Sequence, residues 1–233
     1  MPRCQFDTGR TGNGPPTAFY EPNFISEEEE KRLLECVYSA PKPKWQQLSH
    51  RRLQNWGGLP HPKGMIAESI PEWLMKYVSL VNNLQLFGDK KANHVLVNEY
   101  LPGQGIMPHT DGPLFHPVIT TISLGSHTVL NFYERLDSDK VDEKDSQLPS
   151  NQQRKRVMSI LLEPRSLLVV KDDLYHNHLH SIDETESDEI TDLTVNRGNM
   201  PIGEVLQRKT RISLTIRHVP KTSKVPIFLM KNK

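Results

Sequence analysis

Cysteine is scarce: Cys4 and Cys36 are the only two in 233 residues. Two thiols cannot frame a disulfide-held fold, and neither has a second cysteine at metal-binding spacing. A cysteine zinc site is therefore not expected, and a reducing compartment is. Long apolar runs are missing too; none approaches the ~18 residues that a membrane-spanning helix needs. The polar start lacks the apolar stretch of a secretory signal, so cytoplasm and nucleus are the expected locations and a membrane is not an expected partner. A bulk charge of one sign is also absent: 29 Lys and Arg stand against 28 Asp and Glu, a net +1. This excludes a generally basic nucleic-acid binder, and any such contact must come from a local patch. The hydrophobic content, 36% of 233 residues, is enough for one domain with one sizeable core.

Residues 1–17 read as a flexible tail, 18–220 as the single domain and 221–233 as a basic tail. Ser26 and Glu29 form a capping box ahead of a helix whose Leu33, Leu34, Val37 and Tyr38 share a face and which should end before Pro41. Pro41, Pro43, Gly57, Gly58, Pro60, Pro62 and Gly64 make 41–64 a loop. Ser69, Glu72 and Pro71 then predict a second helix with a capping box, striped by Leu74, Tyr77, Val78, Val81 and Leu84, with Gly88 as its stop. From residue 92 the period changes to that of strands, predicted at 93–101, 118–124, 127–133, 157–163, 166–171 and 211–219. Helices first and many strands after predict an α+β fold, or a β-sandwich with the N-terminal helices packed outside. Ten of the twenty residues 137–156 are charged, and six of the ten residues 183–192 are acidic with none basic. Both 137–156 and the longer stretch 183–208 read as surface insertions.

Chemistry enters with His109-Thr110-Asp111. Side chains at i and i+2 of an extended segment point the same way, so an imidazole and a carboxylate can reach one metal. A third ligand is offered downstream by His176, His178 or His180, and periodicity does not choose among them. Two histidines and a carboxylate with open positions make the facial triad of non-haem iron(II) oxygenases; zinc is the competitor on ligand type. Arg211-Ile-Ser213-Leu-Thr215-Ile-Arg217 alternates strictly, with the polar side chains on one face and the apolar ones on the other. By itself this suits a solvated edge strand as well as an inward polar face. If inward, the arginines need anions, which a dicarboxylate would supply. Asn98 and Tyr100 share a strand face, and Glu99 should point away.

Together Asn98-x-Tyr100, a Pro102-Gly103 turn, His109-x-Asp111, a distal histidine and Arg211-x₅-Arg217 resemble the AlkB family of Fe(II)/2-oxoglutarate dioxygenases. The resemblance runs from about Tyr20 to Pro220. It implies a double-stranded β-helix, or jelly-roll, core. It implies His109, Asp111 and His180 as the catalytic metal site for Fe(II), His180 standing in Leu-His-Ser181-Ile where Gly is usual at Ser181. It implies Arg211, with Asn98 and Tyr100, on the distal carboxylate of 2-oxoglutarate, and Arg217 near the metal-side carboxylate and Asp111. Ser213 replaces an Asn common in the family. O₂ is the other co-substrate, succinate a product and an oxidised C–H group the outcome. The family's substrates are alkylated nucleobases, RNA or protein side chains. The Trp45 loop, with Lys42, Lys44, Arg51, Arg52 and Trp56, matches the region of a substrate lid, where cations hold phosphates and an aromatic stacks a base. Oxidative demethylation of nucleic acid is thus the expected function. A protein hydroxylase or demethylase, or a nucleic-acid-binding or scaffold protein with little turnover, is the alternative.

Overall fold

The computed structural model describes residues 4–6, 17–135 and 154–223. The expected insertion at 137–156 lies outside the described residues as far as residue 153, as do residues 1–3, 7–16 and 224–233 of the expected tails. Helix α1 (Glu27–Tyr38) starts as its sequence dictates: the Ser26 hydroxyl accepts from the Glu29 amide at 3.2 Å, and the Glu29 carboxylate accepts from the Ser26 amide at 2.9 Å. Glu27 to Glu30 occupy the electropositive first turn. Leu33 and Val37 are buried, while Tyr38 is 48% exposed but gives its hydroxyl to Glu99.

Helix α2 (Glu72–Asn82) departs from the prediction at both ends. Its N-cap is Pro71, with no side-chain cap, so the Ser69–Glu72 box does not form. Pro71 bars Ile70 before it from the helical region, so the N-cap falls two residues beyond Ser69. The helix ends at Asn83, well before Gly88, and Gln85 takes a left-handed φ of +56°. Leu74, Tyr77, Val78 and Val81 are buried as the stripe requires.

Eight antiparallel strands make the larger sheet: β1 (Cys4–Phe6), β2 (Ala18–Glu21), β11 (Leu167–Lys171), β8 (Val118–Leu124), β15 (Arg211–Arg217), β6 (His94–Tyr100), β4 (Arg51–Trp56) and β3 (Gln46–Leu48), in that spatial order. The smaller sheet runs β10 (Arg156–Leu162), β9 (Thr128–Glu134), β12 (His178–Ile182) and β7 (Ile106–His109). The chain passes between the sheets from β6 to β7 to β8 and on to β15, which is the winding of a double-stranded β-helix. Each face of the larger sheet has its own layer. Val95, Val97, Ile122, Leu124, Ile212, Leu214 and Ile216 pack on α1 and α2. On the other face Leu168 and Val170 meet Leu130, Phe132, Ile160 and Leu162 of the smaller sheet.

Three expectations are corrected. The 41–64 loop contains the hairpin β3–β4, which extends the larger sheet through the pairs Arg52–Glu99 to Trp56–Val95. Its prolines and glycines flank the hairpin and do not interrupt it. Residues 4–6, expected in the tail, pair with β2, and Thr222–Ser223 (β16), expected in the basic tail, pair in parallel with Met65–Ile66 (β5). The acidic stretch is no loose insertion. Ser187–Glu189 (β13) pairs with Val205–Gln207 (β14), Ile190 is fully buried against Val129 and Leu161, and Asp188 is held by Arg208. Leu193 and Val195 bond to both backbone groups of Ser159, which closes the free edge of β10. Six acids in ten residues hid this, because the few apolar and charge-paired positions among them carry the packing. The last short helix, α3 (Asp172–His176), leads into β12.

Candidate active site

His109 and His180 lie directly opposite each other on β7 and β12, with ring centroids 4.3 Å apart. The approach of these strands needs Gly105. A Cβ there would stand 2.2 Å from the Ile182 carbonyl oxygen, inside any permitted contact. His109 Nδ1 is 2.8 Å from the Met107 carbonyl, so that nitrogen carries the proton and Nε2 keeps its lone pair. Asp111 follows just past the strand end, its Oδ2 3.6 Å from His180 Nε2. Its Oδ1 accepts from Arg217 Nη1 at 2.6 Å. Burial works to raise the Asp111 carboxyl, but Arg217, His180 and His109 outweigh it and hold it below the usual range. Burial pushes the His180 imidazole down to about 4, with Asp111 opposing. The site thus offers two imidazoles, His180 favouring its neutral form, and an ionised carboxylate, a donor set that metal binding can use. Among the described residues no three such side chains already close into a coordination cage, since Asp111 is turned toward Arg217. The donor chemistry fits Fe(II).

These groups line a cavity of about 260 Å³ between the sheets, with Asn98, Tyr100, Ser213 and Arg211 on its other wall. β15 is a central strand, flanked by β8 and β6, so its polar face is turned inward and the edge-strand reading fails. Arg211 is 3% exposed. It donates to Ser123 Oγ at 2.9 Å, lies 5.8 Å from the Tyr100 ring centroid and leaves Nε without a partner. Among the described residues no carboxylate reaches it. Burial drives its guanidinium down to about 10. An uncompensated buried charge costs several kcal/mol, so this is a place prepared for an anion. Burial also raises the Tyr100 phenol, against which Arg51 and then Arg211 act. Arg217 stands at the far end of the strand, paired with Asp111 and 3.8 Å from the Phe115 ring centroid.

Residues 39–217 match the 2OG-Fe(II) oxygenase superfamily. Over 93% of its length the chain is 51% identical to the Danio rerio protein named Probable RNA/DNA demethylase ALKBH6, covering 92% of it. The chain belongs to the AlkB family of 2OG-Fe(II) oxygenases. It is an Fe(II)-, 2-oxoglutarate- and O₂-dependent dioxygenase. It is also 31% identical to Uncharacterized protein L905 of Acanthamoeba polyphaga mimivirus, over 85% of this chain and 83% of that one. The solved structure of OsALKBH1 shares the fold, with a TM-score of 0.53 at 14% identity, covering 88% of this chain and 99% of that one.

In this AlkB-family chain strand alternation sorts three of the six residues expected to meet substrate, Arg51, Arg52 and Trp56. Arg51 faces the cavity, its Nε 3.3 Å from Asn98 Oδ1. Arg52, Gln54 and Trp56 face the helices. The Arg52 guanidinium is paired with Glu99 and lies 4.2 Å from the Trp45 ring centroid. Lys44 sits 4.4 Å from the Trp56 ring centroid and 3.6 Å from Glu68, and Trp56 meets Trp73 edge-on at 5.8 Å. Trp45 and Trp56 pack on the helix-side core. They are structural there, so the expectation that they stack a base is corrected, and Lys42 is exposed in a 3₁₀ turn away from the cavity. The bystander histidines also separate: His176 is exposed, and His178 turns Nδ1 to the Asp173 carbonyl. Sequence reasoning passed over Tyr175, which lines the cavity and donates to the Gly112 carbonyl at 2.9 Å. Burial and then the Asp111 charge push its phenol up to about 12. Its place beside the three candidate histidines was the available signal.

Proposed function

We propose that this dioxygenase oxidatively demethylates alkylated nucleic acid, using His109, Asp111 and His180 as its iron ligands and Arg211 as the anchor of 2-oxoglutarate. The observation that carries the site is the meeting of those three donors and a buried arginine without a counter-ion in one cavity. The substrate class rests on the printed name of the 51%-identical relative.

When bound, Fe(II) with 2-oxoglutarate and O₂ supplies the two-electron oxidation of an N-methyl C–H, with succinate, carbon dioxide and formaldehyde as products. The chain's residues aim that chemistry. His109 is held in one tautomer by the Met107 carbonyl, so Nε2 faces the cavity. Arg217 keeps the Asp111 carboxylate ionised and oriented. Arg211, Ser213 and Asn98 present donors to the distal carboxylate of 2-oxoglutarate, in surroundings where a charged hydrogen bond is strong. The apolar wall of Leu130, Leu162, Leu168 and Val170 limits water.

The test is a panel of methylated oligonucleotides and methylated peptides incubated with Fe(II) and 2-oxoglutarate. Methyl loss confined to oligonucleotides is the expected result. Methyl loss confined to peptides, or succinate formation that neither set stimulates, would refute the substrate reading.

A further inference from the structure

Three consecutive side chains at the tip of β3–β4 leave in three directions. His50 Nδ1 reaches Glu184 Oε1 at 3.4 Å, on the loop that follows β12 of the smaller sheet. Arg52 turns to the helix side of the larger sheet. There both its Nε and its Nη2, the latter at 3.0 Å, engage the carboxylate of Glu99, which is 5% exposed and also accepts from the Tyr38 hydroxyl at 2.8 Å. Arg51, between them, is left with one course, into the cavity. Arg52 pairs in register with Glu99, so Arg51 falls on the face that carries Asn98 and Tyr100. Its only hydrogen bond there is the 3.3 Å contact to Asn98, and among the described residues it meets no carboxylate. Arg211 approaches the same tyrosine from β15 and also lacks a carboxylate.

The cavity wall therefore carries three arginines, Arg51, Arg211 and Arg217, against the single carboxylate of Asp111. Arg217 is already matched by Asp111. The two unmatched cations flank Tyr100, on the wall opposite the histidines. Arg51 is half-buried, and two cations facing one ring repel each other unless an anion joins them. The guanidinium fork suits a carboxylate.

We propose that Arg51 is a second anchor for the distal carboxylate of 2-oxoglutarate, and that Glu99, through Arg52, is the positioning residue that sets it there. This rests on the reading of Arg211 as the first anchor. It makes co-substrate affinity depend on the hairpin, and so on a buried carboxylate on the opposite face of the sheet.

The experiment compares 2-oxoglutarate with 2-oxobutanoate, a 2-oxo acid that has no distal carboxylate. Binding of each to the Mn(II)-loaded protein is measured by calorimetry. Arg51→Met is expected to weaken 2-oxoglutarate roughly tenfold, or about 1.4 kcal/mol, and to leave 2-oxobutanoate unchanged. Glu99→Gln is expected to shift the same ratio in the same direction, and Glu99→Asp to restore part of it. Should Glu99→Gln fail to fold, Arg52→Gln carries the same expectation. Equal weakening of both ligands in Arg51→Met overturns the proposal, because a merely structural role would not discriminate between them. Preference lost in Arg211→Met but kept in Arg51→Met overturns the proposal alone. Preference kept in both variants overturns the reading of Arg211 as well.

Discussion

The two faces of β15 differ by one residue of register and by everything in their chemistry. Ile212, Leu214 and Ile216 are fully buried against the helix layer. Arg211, Ser213, Thr215 and Arg217 line the cavity between the sheets. The apolar face is covered by α1 and α2 and can be filled as a core is filled. The polar face is buried too, yet its charges are only partly matched. The comparison teaches where this protein keeps stability and where it keeps function. The helix-side layer holds the sheet in shape, and the inter-sheet layer accepts unfavourable buried charge so that ligands can complete it. A one-residue slip would exchange the two faces, and the long pairings of β15 with β6 and β8 guard against that.

If this division holds, substitutions on the two faces should fail in different assays. Asp111→Ala, on the cavity side, is expected to abolish iron-dependent conversion of 2-oxoglutarate to succinate, since two imidazoles alone hold Fe(II) poorly. Undiminished succinate from that variant would remove Asp111 from the site. Arg211→Met should raise the 2-oxoglutarate requirement on the order of a hundredfold, as loss of a desolvated charge pair commonly does. The same change should leave the thermal midpoint of the ligand-free protein unchanged or higher, because it removes an uncompensated buried charge. A marked fall in that midpoint would break the comparison. Lys44→Ala, by contrast, should hardly alter the 2-oxoglutarate requirement.

Leu214→Ala tests the other face. It should cost about 2–5 kcal/mol in chemical denaturation and leave the affinity of the surviving folded protein for 2-oxoglutarate near normal. The smallest expected effect concerns acid. His94 is fully buried on the cavity face beside Arg217, and burial, helped by that charge, pushes its imidazole down to about 3. Below the ordinary histidine value, near 6.5, only the unfolded chain takes up this proton. Stability contributed by the neutral ring is therefore present above about pH 6.5 and is lost as the pH falls toward 3. His94→Gln should flatten that limb of the stability curve, as urea melts at pH 7 and pH 5 would show. An unchanged difference between the two melts would mean that other groups set the acid limb.

Much of this was legible in the residues. The α1 cap, the main strands, the His109-x-Asp111 pair and the polar face of β15 follow from local periodicity and side-chain chemistry, which act within a few residues. Less was legible where the meaning depended on a distant partner. The basic-aromatic loop looked like a substrate clamp until Glu99 and Glu68 were found to hold Arg52 and Lys44. The acidic stretch looked loose until Arg208, Ser159 and Val129 supplied its contacts.

The sequence by itself determined the donor set, the alternation that segregates charge from core, and the family. Only the tertiary structure decided that β15 is central, that Arg51 and Arg52 part company, and that the acidic stretch is packed. The reason is that pairing across a sheet joins residues about a hundred positions apart, as Arg211 and Tyr100 are joined here. No local pattern records which strand will lie alongside, and burial among those neighbours is what turns a polar side chain into a site.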